Sequence, residues 1–220
     1  MTYVLKYILP NNEGDNMNKK QPTKSIDKAK QILDAAKNVL AQKGFSGTTI
    51  ALVAKEADVS RGLLHYYFKS KEDMLAKVLR DNMQYSVDLI TNLFDHCDSA
   101  EMFADRLIQT LIALMENDPD YFNLFVEGLA VARYSEVVRN ELGTLYAQFR
   151  KSLYHGIQQM ERRGIVTPSV SVDGLAAVIA GILDGISVQL VTLSCITADD
   201  ELWDSLRKVI VLLMKEGQKV

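Results

Sequence analysis

Between Ser60 and Lys71 the sequence reads SRGLLHYYFKSK, and its polar groups are of one kind. The guanidinium fork of Arg61 suits guanine O6 and N7, or a phosphate. Tyrosine, serine and threonine hydroxyls, including those of Ser60 and of Thr48 and Thr49 just upstream, are typical phosphate partners, as is the ammonium of Lys71. This is the chemistry of binding a polyanion. Turnover would need a different set. The three histidines, His65, His96 and His155, fall in different segments and share no motif with a nucleophile and an acid. The neighbours His96 and Cys97 have no partner ligands at metal spacing. The sequence therefore predicts no catalytic residue, no metal site and no cofactor. The only cysteines, Cys97 and Cys195, make no disulfide framework, and free thiols point to the cytoplasm.

The charge distribution supports the polyanion. The net charge is −3, but from Lys19 to Arg80 there are 13 Lys and Arg against 6 Asp and Glu, and from Asp81 onward 11 against 20. A basic third on an acidic remainder predicts two modules with different partners. Upstream of the basic segment, MTYVLKYILPNNEGDN has a short apolar run without a small-residue cleavage site and does not read as a secretory signal. Met17 is an alternative start, or the first residues form a disordered arm. The expected organisation is an arm over 1–22, a DNA-binding domain over 23–80 and a second domain over 81–220.

The elements that must position these groups are helices. Pro10, Pro22, Pro119 and Pro168 are the only prolines, so long stretches lack breakers. Ser25 to Lys43 carries an apolar stripe at Ile32, Ala35, Ala36, Val39 and Leu40, and Gly44 stands where a helix ends. Thr48 or Thr49 caps a second helix with a stripe of Ile50, Val53, Ala54 and Ala57. At about two turns, that helix needs neighbours to hold it. Asp58, a residue type that visits the left-handed region, makes the turn, and Ser60 caps a third helix to about Tyr67. In that helix Leu64 faces inward, with Val59 and Phe68 on the same side, while Ser60 and Arg61 stand at the N-terminal end that reaches base edges. Gly62 costs about 1 kcal/mol in a helix, which makes sense where the helix approaches DNA or another helix closely. Ser70 with Glu72 and Asp73 opens a long helix to about Phe94, with Lys71 at its anion-attracting end.

Further helices follow over 100–116, 121–134, 135–163, 172–195 and 199–215. Leu175 to Leu193 is nearly long enough to span a membrane, but Asp184 at its middle would cost about 2.5–3.5 kcal/mol there. A helix buried on most sides in a soluble bundle or dimer is the expectation, with no membrane partner. The fold class is all-α: an N-terminal three-helix helix-turn-helix domain followed by a helical bundle.

The segment TTIALVAKEADVSRGLLHYYFKSKEDML resembles the DNA-binding segment of TetR-family transcriptional regulators. Thr49, Ile50, Ala54, Ala57, Val59, Ser60, Gly62, Leu64, Phe68 and Lys71 fit that pattern, over roughly residues 28–79. Asp58 stands where the family usually has Gly, which predicts a strained turn, and the aromatic run His65-Tyr66-Tyr67-Phe68 is reordered. Tyr66 is the first choice for the phosphate-gripping tyrosine, with His65 beside it on the recognition helix as a contact to phosphate or base. The DNA-binding set is thus Thr48, Thr49, Ser60, Arg61, Gly62, His65, Tyr66 and Lys71.

The resemblance implies that the remainder is a ligand-binding and dimerisation domain. It implies a small, apolar effector in a pocket drawn from Phe103, Leu107, Met115, Phe122, Phe125, Tyr134, Phe149 and Asp184. It also implies a homodimer built on the last two helices, where Ala177, Gly181 and Gly185 leave a small-residue groove beside Leu202, Leu206, Val209 and Ile210. The implied function is sequence-specific binding to a double-stranded, pseudo-palindromic operator by a repressor that the effector releases. The alternatives are a constitutive DNA binder and an activator.

Overall fold

The computed structural model describes residues 24–94, 97–193, 196–197 and 201–215, and of 24–27 only the backbone. The expected arm, Met17, His96 and Cys195 lie outside the described residues. The helices are α1 (Lys24–Gly47), α2 (Ile50–Glu56), α3 (Arg61–Tyr67), α4 (Lys71–Phe94), α5 (Ala100–Asn117), α6 (Asp120–Ala132), α7 (Glu136–Arg162), α8 (Val172–Thr192) and α9 (Glu201–Met214). No strand occurs among the described residues.

Contacts divide the chain into two compact units. One runs to Asp81 and also takes in Glu127–Leu142; the other consists of Asn82–Val126 and Gly143–Val220. The inclusion of Glu127–Leu142 with the N-terminal unit has no local signal in the sequence, because it is a matter of packing at long range.

In the N-terminal unit the apolar stripe of α1 is buried at Ile32, Ala35, Ala36, Val39 and Leu40. Helical geometry fails at Gly44, whose φ of 64° is cheap only without a Cβ, so the chain turns where the sequence predicted a stop. Glu127 secures this turn by accepting the Phe45 N–H at 2.5 Å. The Thr49 side chain caps α2 by accepting Leu52 N–H at 3.2 Å, and the stripe residues Val53, Ala54 and Ala57 are buried. Asp58 adopts φ 48°, the left-handed turn the sequence required. Ser60 caps α3 through Leu63 N–H at 3.2 Å. At the start of α4, Ser70 accepts Asp73 N–H at 3.1 Å and Asp73 accepts Lys69 N–H at 2.8 Å, a reciprocal cap. Arg80 and Glu141 form a two-pronged ion pair at 2.7 and 2.5 Å.

The second unit has its own core, from Ile90, Leu93 and Phe94 of α4 through the buried faces of α5, α7, α8 and α9. Phe94 stacks on Phe103 at 4.7 Å between ring centroids. Helix α8 is long and apolar enough to cross a membrane by length and composition, yet its Leu175, Ala176, Ile179, Ala180, Leu183 and Ile186 are buried in this core. Its other face is exposed at Val178, Gly181, Gly185 and Val188.

Candidate nucleic-acid interface and internal cavity

Helix α3 is held to its unit by little more than Leu64, which is fully buried, and by Phe68 just beyond its end. With one anchor inward, the rest of the helix faces out. Arg61, Gly62 and His65 are exposed, and Tyr66 is 83% exposed, an extreme value for a large aromatic residue. Tyr67 is half-buried and meets the Tyr66 ring edge-on at 5.6 Å. A large exposed ring on a helix whose polar N-terminal end is also exposed forms a continuous surface of donors and π-face. Lys71 adds a positive charge beside it. Its Nζ lies 4.3 Å over the Phe45 ring and 3.4 Å from the Ser46 carbonyl, which steers the ammonium while leaving it partly exposed. Lys77 is more committed, donating to the Tyr67 carbonyl at 2.6 Å and to Asp73 at 3.0 Å. Burial works to raise the Asp73 carboxyl, but the Lys69 N–H and Lys77 outweigh it and hold the group below its ordinary range.

Thr48 does not join this surface. It is 1% exposed, and its hydroxyl donates to the Gly44 carbonyl at 2.7 Å, closing the turn between α1 and α2. The sequence could not separate it from Thr49, because both precede α2 and either side chain can cap. Thr49 is the cap and is exposed; Ser60 is likewise exposed while capping α3. Thr49, Ser60, Arg61, Gly62, His65, Tyr66 and the half-buried Lys71 are the expected residues left with surface.

The second unit encloses a cavity of about 70 Å³, partly open to solvent. Five of the expected residues line it: Leu107, Phe122, Phe125, Phe149 and Asp184. Three do not. Phe103 has no exposed surface and is committed to the core against Phe94. Met115 packs at the margin of the core. Tyr134 is 81% exposed and belongs to the N-terminal unit. Periodicity marks each of these as apolar but not what it faces.

The polar side of the cavity was largely missed. Tyr146 interacts with Asp184, and Tyr121 hydrogen-bonds Ser86 while its carbonyl accepts from Asn82 Nδ2 at 3.1 Å. Burial pushes the Tyr121 hydroxyl up to about 12, and burial with the nearby Asp184 pushes Tyr146 up as well. Asp184 itself is raised by burial, against the pull of the Tyr146 hydroxyl. The sequence signal for Tyr146 was its place between Leu145 and Phe149 on α7, beside the apolar stripe rather than in it.

For the expected pairing face, Gly181 and Gly185 are exposed with open space where a Cβ would stand, and Ala177 is half-buried. Val209 is exposed and Leu202 half-buried. Leu206 and Ile210 point the other way, into the core of their own unit, so they offer no surface to a second chain. The stripe of α9 has two sides, and the exposed one carries Val209 and Leu212.

A family model described as bacterial regulatory proteins, tetR family, matches residues 32–78, which runs from the α1 stripe through α3 into α4. Those residues match that family's model, and the rest of the chain lies outside the match. The chain is 40% identical over 53 residues to the fatty acid metabolism regulator protein of Bacillus subtilis (strain 168), a match covering 24% of this chain and 27% of that protein. It is 22% identical over 169 residues to the nicotine-responsive transcriptional repressor HdnoR of Paenarthrobacter nicotinovorans, covering 75% of this chain and 84% of the repressor. Among solved structures, Salmonella enterica GusR superposes with a TM-score of 0.76 at 20% identity, covering 89% of this chain and 99% of GusR. The first curated relatives are matched over only 27%, 51% and 28% of their own lengths. The higher identities therefore extend over short segments, while the likeness of fold covers most of the chain. These curated relatives are named as regulators or repressors.

Proposed function

We propose that this chain is a sequence-specific DNA-binding repressor that acts as a homodimer in the cytoplasm and is released from its operator by a small, largely apolar effector. The observation that carries the reading is the outward face of α3. Arg61, His65 and Tyr66 are exposed on a capped helix with a single buried anchor, within the basic part of the chain. Residues 23–80 are the DNA-binding domain in this reading, and most of 81–220 serves ligand binding and pairing. Arg61 reads a base edge, and Thr49, Ser60, His65, Tyr66 and Lys71 hold phosphates. Gly62 lets the helix come close.

The pairing surface is the exposed face of α8 around Gly181 and Gly185, with Val178 and Val188, joined by Val209 and Leu212 of α9, the last 74% exposed. Exposed apolar residues of this number on two helices are costly in water. Pairing would set two copies of α3 about 34–36 Å apart for successive major grooves. The cavity in the second unit supports an effector, and the names of relatives such as the nicotine-responsive repressor support repression relieved by a small molecule. The effector lowers operator affinity by as much as it prefers the state that binds DNA less well.

Fluorescence anisotropy with DNA from upstream of the protein's own gene tests the reading. Tight binding to one short pseudo-palindrome, with weak and salt-sensitive binding elsewhere, is expected. Binding that ignores sequence would overturn the regulatory assignment. Retained binding with every compound that occupies the cavity would leave a constitutive DNA binder.

A further inference from the structure

From the chemistry of its walls, we infer that the cavity of the second unit takes an organic cation: a protonated or quaternary amine on an apolar body, held by Asp184 and by the surrounding aromatic rings. The inference rests on the proposal that this cavity is the effector site. It adds the charge of the ligand, which neither the fold nor the family match specifies.

The lining contains a single acidic side chain, Asp184, and among the described residues it contains no Lys, Arg or His. An anionic effector would therefore bring a second negative charge beside a carboxylate, with no cation to compensate either of them. Burial of an unpaired ion of that kind is strongly unfavourable. A cation reverses the balance, because it neutralises the one charge already there.

The rings are disposed to help. Tyr121, Phe122, Phe125, Tyr146 and Phe149 all line the same cavity. Tyr121 and Phe122 meet edge to face at 5.0 Å, and Phe125 and Tyr146 are tilted by 53° at 6.1 Å, so the rings present faces in several directions. Ring faces attract ammonium groups, most strongly when water is excluded. The Tyr146 hydroxyl interacts with Asp184, which sets a polar group beside the carboxylate. The carboxylate lone pairs are available to an N–H donor, or to the diffuse charge of a quaternary group.

A neutral polar ligand is the other chemistry this wall admits, since burial raises Asp184 and a protonated carboxyl can donate. The two differ in what Asp184→Asn does. The amide keeps the shape and much of the hydrogen bonding but removes the charge. A neutral ligand would be held nearly as well, whereas a cation loses its counter-charge.

Three probes of similar size separate the cases: benzylammonium, benzyl alcohol and benzoate, each titrated at millimolar concentration into the DNA-free full-length protein at neutral pH. Binding is read by the rise in unfolding temperature and by calorimetry. Benzylammonium is expected to bind most tightly and benzoate not at all. Asp184→Asn is expected to weaken benzylammonium by at least about thirtyfold, the order found when one member of a buried charge pair is lost, and to leave benzyl alcohol within about threefold. Tyr146→Phe, which keeps the ring and removes the hydroxyl beside the carboxylate, is expected to retain the preference for the cation. It serves as a second variant should Asp184→Asn not fold. Benzoate or benzyl alcohol binding as well as benzylammonium would overturn the cation assignment while leaving the effector reading standing. Failure of all three probes to bind would overturn the cavity as an effector site, and this inference with it.

Discussion

Helix α3 carries one internal glycine, Gly62, and α7 carries two, Gly143 and Gly156; Gly62 and Gly156 differ in what surrounds them. In α7, Gly156 is buried under the ring of Phe94, and a Cβ at that position would collide with the ring carbons. The packing of α4 against α7 explains it. In α3, Gly62 is exposed, and the nearest atom to a Cβ built there is Ser60 Oγ at 3.9 Å, an ordinary contact. Nothing within the chain asks for a glycine. Because glycine weakens a helix, its presence in a helix of only seven residues points to something outside the chain that comes close. One glycine is explained by the molecule's own interior, and the other fits the proposed approach of DNA.

The largest effect expected from this contrast is at Gly156. Phe94 is buried and stacked on Phe103, so the ring has nowhere to retreat. Gly156→Ala should destabilise the protein by roughly 3 kcal/mol, at the upper end of overpacking effects, read by urea unfolding. Unchanged stability would mean that α7 and α4 are not packed as described.

An intermediate case tests whether crowding alone sets the size. At Gly128, on α6, a Cβ would come 2.7 Å from Cδ1 and 2.9 Å from Cδ2 of Leu79, the far end of a flexible side chain. Leu79 is fully buried but can change rotamer, so Gly128→Ala should cost less, about 1–2 kcal/mol by the same measurement. A cost as large as that at Gly156 would show that leucine is as rigid here as the stacked ring.

On the α3 side the same logic moves from stability to binding. Arg61→Ala should leave the unfolding temperature nearly unchanged, since the side chain is exposed, while discrimination at the base it reads falls by about 1–3 kcal/mol. Lys71→Ala should instead weaken all DNA sequences alike and lower the slope of log affinity against log salt by about one. Anisotropy titrations on matched and mismatched operators at several salt concentrations distinguish the two.

The two regions also differ in how far their chemistry could be read beforehand. Around α3 the rules are local. A cap needs a hydroxyl at Thr49 or Ser60, a left-handed turn tolerates Asp58, and a stripe of Val53, Ala54 and Ala57 has one inward side. Each depends on residues a few positions apart, so the sequence carries it. Where two residues satisfied the same local rule, as Thr48 and Thr49 did, only packing decided between them. Around α7 and α8 the rules are not local. Leu206 and Val209 belong to one apolar stripe, but one faces the core and the other water. Phe103 and Phe122 are equally aromatic, yet one fills the core and the other lines a cavity. Which face is which follows from how distant helices meet, and that has no signature at a spacing of three or four residues.

The smallest stability effect carries the sharpest test of the contrast, because its two readouts should move in opposite directions. Gly62→Ala adds a methyl group to open space and removes the helix penalty of glycine, so the free protein should gain about 0.5–1 kcal/mol. If α3 lies close against DNA, the same methyl group stands where the partner must come, and operator affinity should fall while stability rises. A loss of affinity with a loss of stability would mean that Gly62 has a role within the fold after all. A gain in both would mean that no partner approaches this part of α3, and the reason for its glycine would have to be sought elsewhere.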